Sequence, residues 1–175
     1  IGSASGTTTL AGETIKVDAD NGYAQLGYPG AGTGAISVIT SGDLIMTAGD
    51  GTGNYAQIGD GGYKVGGSTD ANINVAVAGD LTMNGGDGQE AYVQIGNGGA
   101  ESNSNTHGYD ENGDVSVSAH SIVLNAGSGD ASYAQIGDGG YKAGEGLDVT
   151  TSIGGNITVA SDSAVHLLGG GTDAY

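Results

Sequence analysis

The chain lacks several kinds of residue, and each absence narrows its chemistry. Its 175 residues include no cysteine, tryptophan, phenylalanine or arginine, and Pro29 is the only proline. Without cysteine there is neither a disulfide framework nor a thiolate site. The chain has three lysines and 20 Asp plus Glu residues, so its net charge is −17. This balance argues against nucleic acid and anionic membrane surfaces as partners, because both are bound by clustered Lys or Arg. No apolar run approaches the roughly 18 residues of a membrane span.

Glycine is abundant, with 38 residues. It does not recur at every third position, which excludes collagen. Ile, Val, Leu and Met recur at regular spacing between the glycines, and this argues against disorder. The acidic balance favours solubility, cation binding or a hydrated extracellular surface.

The most informative feature is a repeated Tyr-Ala-Gln-Ile-Gly motif. Copies begin at Tyr23, Tyr55, Tyr92 and Tyr133, and Tyr175 begins a fifth. Two other segments with the period-two alternation of a strand precede each copy. The first lies at 36–38, 73–77, 115–117 and 157–159; the second lies at 44–46, 81–83, 122–124 and 165–167. Residues 7–9 and 15–17 form a weaker first copy. Self-similarity of this kind predicts a stacked repeat architecture.

Length variation is confined to one connection in each repeat. The second strand is followed by the motif after 11 residues in three copies, from 44 to 55, 81 to 92 and 122 to 133. The distance from the motif to the next first strand is 13, 18, 23 and 24 residues. A connection that varies freely is typical of a surface loop, so we expect the loop at 99–113 to be dispensable for folding.

These patterns predict an all-β fold without substantial helix. We expect a right-handed parallel β-helix with about three short strands per repeat, in which residues 1–175 form one solenoid segment of about 4.5 repeats from a longer array. Each repeat can form one coil or two shorter coils; one coil is the favoured interpretation because it places each tyrosine on its equivalent.

Alternation within the motif predicts which side chains face the core. Ala56 and Ile58 are expected to point inward, which sends Tyr55 and Gln57 outward. Repetition then predicts structural ladders of identical side chains. Their members are Tyr23, Tyr55, Tyr92, Tyr133 and Tyr175, and Gln25, Gln57, Gln94 and Gln135. If this face pointed inward, the glutamine amides would have to bond to one another.

Acidic turns are the candidate metal ligands. Calcium binds carboxylate and carbonyl oxygens in Gly-Asp-rich loops. The candidates are Asp50, Asp60, Asp87, Glu90 and Asp138. The alternative is ordinary turn chemistry, since a like-charged pair stacked about 5 Å apart in water costs only about 0.8 kcal/mol.

The residues do not predict catalysis. A polysaccharide lyase needs a cation beside its carboxylates, whereas Lys64 and Lys142 belong to a repeated Gly-Gly-Tyr-Lys segment. No acidic pair departs from the repeat in the manner of a hydrolase site. His107, His120 and His166 lack metal-binding spacing. We therefore predict no catalytic residues and no enzyme activity.

Several segments resemble the repeat region of large bacterial surface exoproteins. They are Gly-Asn-Ile-Thr-Val at 155–159, Gly-Asp-Leu-Thr-Met at 79–83, and Tyr-Ala-Gln-Ile-Gly-Asp-Gly-Gly-Tyr at 55–63 and 133–141. The family comprises filamentous-haemagglutinin-like proteins and giant repetitive adhesins. The resemblance implies a β-helix shaft, export to the cell surface, and a role in adhesion, cohesion or fibre formation.

The leading functional hypothesis is therefore an extracellular structural shaft. Its partners would be neighbouring repeats, other copies of the protein, or cell-surface glycans and receptors, without nucleic acid or membrane insertion. Tyr28, Tyr63, Tyr109 and Tyr141 are candidates for such contacts because they lie in or near the variable connections. The alternatives are a calcium-dependent extracellular binding module and, third, a polysaccharide-acting enzyme.

Overall fold

The described part of the chain folds into strands and turns. The computed structural model describes residues 1–104, 109–146 and 152–171, and this part of the chain contains no helix. The strands of the first two repeats are β1 (Thr8–Gly12), β2 (Ile15–Ala19), β3 (Tyr23–Leu26), β4 (Ile36–Thr40), β5 (Leu44–Ala48) and β6 (Tyr55–Ile58). Those of the later repeats are β7 (Ile73–Val77), β8 (Leu81–Asn84), β9 (Tyr92–Ile95), β10 (Val115–Ala119), β11 (Ile122–Asn125), β12 (Tyr133–Ile136), β13 (Ile157–Ser161) and β14 (Val165–Leu168).

Three parallel sheets run along the molecule. Each of the first four coils contributes one strand to each sheet, and the last described coil contributes β13 and β14 to two of them. The first-strand sheet has the order β1-β4-β7-β10-β13, the second-strand sheet β2-β5-β8-β11-β14, and the motif sheet β3-β6-β9-β12. Every strand therefore pairs with its equivalent in the next coil, about 4.8 Å away. This arrangement is a parallel β-helix, as the alternation and constant spacings predict.

The pairing register also answers how many coils each repeat forms. Tyr55 pairs with Tyr23 on one side and with Tyr92 on the other. Tyr133 continues the column beyond Tyr92. One repeat is thus one coil, and identical residues stack on one another along the axis.

The hydrophobic core fills the interior of the coils. In the first-strand sheet Ile36, Ile73 and Val115 form one inward column, and each is at most 2 % exposed. The second-strand sheet contributes two more columns to the same core; they are Leu44, Leu81 and Ile122, and Met46 and Met83. Burying each such side chain contributes about 1.5–3 kcal/mol. Glycines with positive φ lie in the turns between strands and allow the chain to bend from one sheet to the next, while the apolar side chains remain in register.

The variable connection is not the exposed loop that its length variation suggested. Ala100, Ser102, Asn103 and Glu111 are all buried. Bridges in parallel register join Gly32 to Thr69, Thr69 to Glu111, and Glu111 to Ile153, so the connection has a stacked column of its own. We call residues 59–72, 96–104 and 109–114 the covering arm.

The expectation that the 99–113 loop is dispensable therefore rests on a wrong premise. The length of a connection does not show whether its residues pack on the coil. Ala100 packs in one cluster with Tyr55, Tyr92 and Tyr133, on the side of the motif sheet opposite Ala56 and Ile58.

Candidate functional site: the tyrosine and glutamine face

The motif tyrosines form a continuous aromatic stack. Ring centroids are 5.1 Å apart between Tyr23 and Tyr55, 5.0 Å between Tyr55 and Tyr92, and 4.8 Å between Tyr92 and Tyr133, with interplanar angles of 9°, 6° and 6°. Parallel-strand pairing holds equivalent rings at the coil spacing, which is close to the separation at which aromatic rings attract. Tyr175 lies outside the described residues.

The tyrosines face away from the main core but not into solvent. Tyr92 and Tyr133 are 0 % exposed and Tyr55 is 5 % exposed, whereas Tyr23 in the first coil is 59 % exposed. Tyr63 of the covering arm and Tyr141, which follows β12, pack against the same cluster. The predicted outward direction thus leads into a second, aromatic core, because the arm folds over it.

The stack provides few groups for chemistry. The Tyr55 hydroxyl donates to Gln25 Oε1 at 3.3 Å, and the Tyr133 hydroxyl donates to Gln94 Oε1 at 3.4 Å. Burial raises the pKa of Tyr55 and Tyr92 above the usual tyrosine range. Both phenols therefore remain neutral and serve as packing groups.

The motif glutamines bind the backbone of the next coil. Gln57 Nε2 donates to the carbonyl oxygens of Gly96 at 2.9 Å and Gly98 at 3.0 Å. Gln94 Nε2 donates to those of Gly137 at 2.9 Å and Gly139 at 2.8 Å. The amides do not join into the chain that an inward-pointing face would have required. Instead Gln25, Gln57 and Gln94 each bind the glycine turn of the next coil.

Replacing Gln94 with glutamate should destabilise the protein strongly. A carboxylate has no N–H to donate, so it would face the carbonyl oxygens of Asn97, Gly137 and Gly139 without compensation. An uncompensated buried charge costs about 3–5 kcal/mol. Urea unfolding at neutral pH measures the loss. The matched control is Gln135→Glu, because Gln135 is half-buried and makes one such bond, to Asp138 O at 3.0 Å. Equal losses in the two variants would contradict this interpretation.

Three of the turn residues after the motif act as caps. Asp60 Oδ1 accepts the Tyr28 N–H at 2.7 Å, Asn97 Oδ1 accepts the Asp60 N–H at 3.2 Å, and Asp138 Oδ1 accepts the Asn97 N–H at 2.7 Å. Each side chain thus satisfies a backbone donor in the coil before it. Asp60 and Asp138 are two coils apart, with Asn97 between them.

The other predicted calcium ligands lie elsewhere. Asp50 Oδ1 accepts the Asp87 N–H at 3.3 Å, and Asp87 Oδ1 accepts the Ser128 hydroxyl. Glu90 Oε2 accepts the Tyr63 hydroxyl at 2.7 Å. Within the described ranges, no three His, Asp or Glu side chains are placed to hold one metal ion. Calcium binding stays a prediction, and turn capping accounts for the contacts that these carboxylates make.

The histidines are likewise dispersed. His120 follows β10, and His166 lies within β14, in a different sheet. His107 lies outside the described residues.

One buried acid was not predicted from the sequence. Glu111 lies in the covering arm, is 0 % exposed, and accepts a hydrogen bond from Asn103 Nδ2 at 3.0 Å. Burial raises its pKa to about 7. Burial likewise raises the pKa of Asp60 to about 6 and that of Asp138 to about 7. Nothing in the sequence marks Glu111, because it lies in the connection whose length varies most.

Comparisons with known proteins do not assign the chain to a family. No family model matches the chain, and neither the curated proteins nor the solved structures contain a significant match. The described residues include no helix long and apolar enough to cross a membrane. The resemblance to filamentous-haemagglutinin-like repeats accordingly stays a prediction.

Proposed function

We propose that this chain is a structural shaft segment of a secreted, filamentous surface protein or extracellular fibre that serves adhesion, cohesion or assembly. The observation that carries the proposal is the uniformity of the coils. The first four coils share the same inward columns and the same tyrosine stack, and Gln25, Gln57 and Gln94 make the same bonds to the glycine turn of the next coil. Repeat proteins of this kind derive stiffness from contacts between adjacent units.

A departure from the repeat supports the same conclusion. Gly-Gly-Tyr-Lys at 61–64 and 139–142 is replaced at the equivalent place by Gly-Gly-Ala-Glu at 98–101. Backbone bonds from Lys64 N to Ala100 O and from Glu101 N to Tyr141 O place these residues in one column. Lys64 Nζ and Glu101 Oε2 are 3.1 Å apart. The substitution thus places opposite charges next to each other in the stack, where they join adjacent coils.

The surfaces suit contacts with neighbours. Tyr28 and Tyr109 are 39 % and 41 % exposed, so they are available for partners or glycans, whereas Tyr63 and Tyr141 pack partly against the tyrosine stack. The last coil exposes the apolar side chains of Ile157, Val165 and Leu167. A further coil, supplied by the same protein or by another copy, would cover them and pair the open strand edges.

Electron microscopy tests the shaft directly. We expect the protein to be a rod whose length grows by about 4.8 Å per coil, so a tandem of two copies should be longer than a single copy at the same diameter. The native material should show thin fibres with this layer spacing. Compact particles that widen in all directions on duplication would contradict the proposal.

The proposed location has its own test. Antibodies raised against the recombinant chain should label the outside of intact source cells, and protease added to those cells should remove the label. Labelling that appears only after the cells are broken would refute surface display while leaving the shaft geometry intact.

A further inference from the structure

The covering arm contains a buried column of oxygen atoms without partners. Asp60 Oδ2, Thr69 Oγ1 and Glu111 Oε2 have no hydrogen bond, although the three residues are at most 2 % exposed. Buried polar groups are almost always paired in folded proteins. Three unpaired oxygen atoms in one element therefore need an explanation.

The register of the arm shows that these atoms belong together. Gly32, Thr69 and Glu111 are successive members of one parallel-bridged column. A Cβ on Gly32 would collide with the Asp60 carboxylate, so that carboxylate occupies the side-chain position of Gly32. The column therefore runs from the Asp60 carboxyl through the Thr69 hydroxyl to the Glu111 carboxyl. Successive members are one strand spacing apart.

The protein groups around the two carboxyls do not neutralise them. The other oxygen of Asp60, Oδ1, accepts a hydrogen bond from the Tyr28 N–H. The other oxygen of Glu111, Oε1, accepts one from Asn103 Nδ2. Ser102 lies beside Glu111 and lowers its pKa, but burial has the larger effect and the Ser102 hydroxyl donates to Gly99 O at 2.8 Å. The ionisable groups that interact with Glu111 are themselves acidic, because Glu111 raises the pKa of both Asp138 and Tyr92, and Asp70 also raises that of Asp138. Lys64 of this arm forms an ion pair with Glu101.

One shared metal ion does not fit this column. The Asp60 carboxylate lies at the level of Gly32, two strand spacings from Glu111, or about 10 Å. No third acidic or histidine side chain in the described residues completes a metal-binding group with them. Each carboxyl must be neutralised at its own place. A proton does this, and it also turns the unpaired oxygen into a hydrogen-bond donor.

We propose that Asp60 and Glu111 form a proton-binding latch, which holds the covering arm closed over the tyrosine stack when both carboxyls are protonated and loosens the arm when they ionise. Burial is the physical cause, because it disfavours the charged form of an acid. The raised pKa values of Asp60, about 6, and Glu111, about 7, agree with this assignment.

The direction of the pH effect follows from linkage. A carboxyl whose pKa is higher in the folded protein than in the unfolded chain stabilises the fold fully below its unfolded pKa, near 4. That stability is lost as the pH rises through the folded value. Each of the two groups should raise the unfolding constant about tenfold per pH unit between those limits. We therefore expect stability to fall between about pH 4.5 and 7, with local opening of the arm.

Two isosteric variants test the latch. Asp60→Asn and Glu111→Gln supply a neutral amide in place of the protonated acid, so each should remove about one proton, or tenfold per pH unit, from the slope. The control is Asp87→Asn, since Asp87 is exposed and should leave the slope unchanged. Urea unfolding across this pH range measures the slopes. A Glu111→Gln slope equal to that of the unaltered protein overturns the proposal.

Measurements on the unaltered protein keep the test decisive if a variant does not fold. Carbon-13 NMR should show the carboxyls of Asp60 and Glu111 titrating above pH 5, and hydrogen exchange of the arm amides should accelerate over the same range. Titration of both groups at ordinary values overturns the latch. Millimolar calcium that restores protection at neutral pH as fully as acid does would also overturn it, in favour of a cation site.

Discussion

Gly59→Ala should unfold the central coils or destabilise the protein by more than about 4 kcal/mol, which is beyond the range of most point mutations. Gly59 ends the second copy of the motif, and its φ angle is +154°. Side chains rarely adopt this conformation, which costs about 1–3 kcal/mol. An added Cβ would also overlap the carbonyl group of Gly96 in the next coil, with the carbonyl carbon only 2.6 Å away.

The collision is severe because backbone surrounds this glycine on both sides. Gly59 N–H donates to Leu26 O at 3.0 Å, and Gly96 N–H donates to Ile58 O at 2.9 Å. Relief of the overlap would require two coils to separate, and their hydrogen bonds would break. A flexible side chain could move aside, but a backbone carbonyl within the stack cannot.

Two other glycines separate the contributions. Gly22→Ala meets no atom within 4 Å although its φ is +119°, so it should show the conformational cost alone, about 1–3 kcal/mol. Gly169→Ala has open space and no left-handed φ, so it should change stability by less than about 0.5 kcal/mol. Thermal and urea unfolding give the order. If Gly59→Ala is no worse than Gly22→Ala, close approach of the coils is not what selects glycine here.

Tyr92→Ala should have the second large effect, a loss of about 3–5 kcal/mol as for other buried aromatic side chains. The ring is fully buried and stacks on Tyr55 and Tyr133, at 5.0 and 4.8 Å. Each stacking contact contributes about 0.5–1.5 kcal/mol beyond burial. Truncation would also leave Ala100 of the covering arm without its aromatic support.

Two controls distinguish the ring from the hydroxyl and the buried coil from the exposed one. The Tyr92 hydroxyl approaches the Ala100 backbone without forming a hydrogen bond of normal geometry, so Tyr92→Phe should cost less than about 1 kcal/mol. Tyr23 is 59 % exposed and stacks on one side only, so Tyr23→Ala should lose far less than Tyr92→Ala. Unfolding monitored by circular dichroism measures all three. Equal losses for Tyr23→Ala and Tyr92→Ala would show that the stack contributes little.

The sequence predicted the fold because the repeat is read directly from residue identity. Alternation in segments such as Ile73–Val77 marks strands with one buried face, and the constant 11-residue distance requires equivalent residues to stack. It also predicted that Asp60 and Asp138 share one column with Asn97. These features are local, or they repeat along the chain, so a single sequence contains them.

The environment of the motif face required the tertiary structure. Tyr55 and Gln57 alternate with Ala56 and Ile58, which correctly separates the two sides of the strand but does not say what covers the outer side. The cover comes from a connection whose length varies and whose residues do not repeat. Its buried members, such as Asn103 and Glu111, therefore lack a periodic signal.

The sequence by itself determined an all-β stack with one coil as the favoured unit, because hydrophobic period and spacing are properties of the chain alone. Only the tertiary structure decided that the tyrosines form a second core, that three of the motif glutamines bind the next glycine turn, and that Asp60 and Glu111 are buried without neutralising partners. The physical reason is that burial and hydrogen bonding depend on which segments meet in space, and the covering arm meets the motif sheet through contacts between residues that do not repeat.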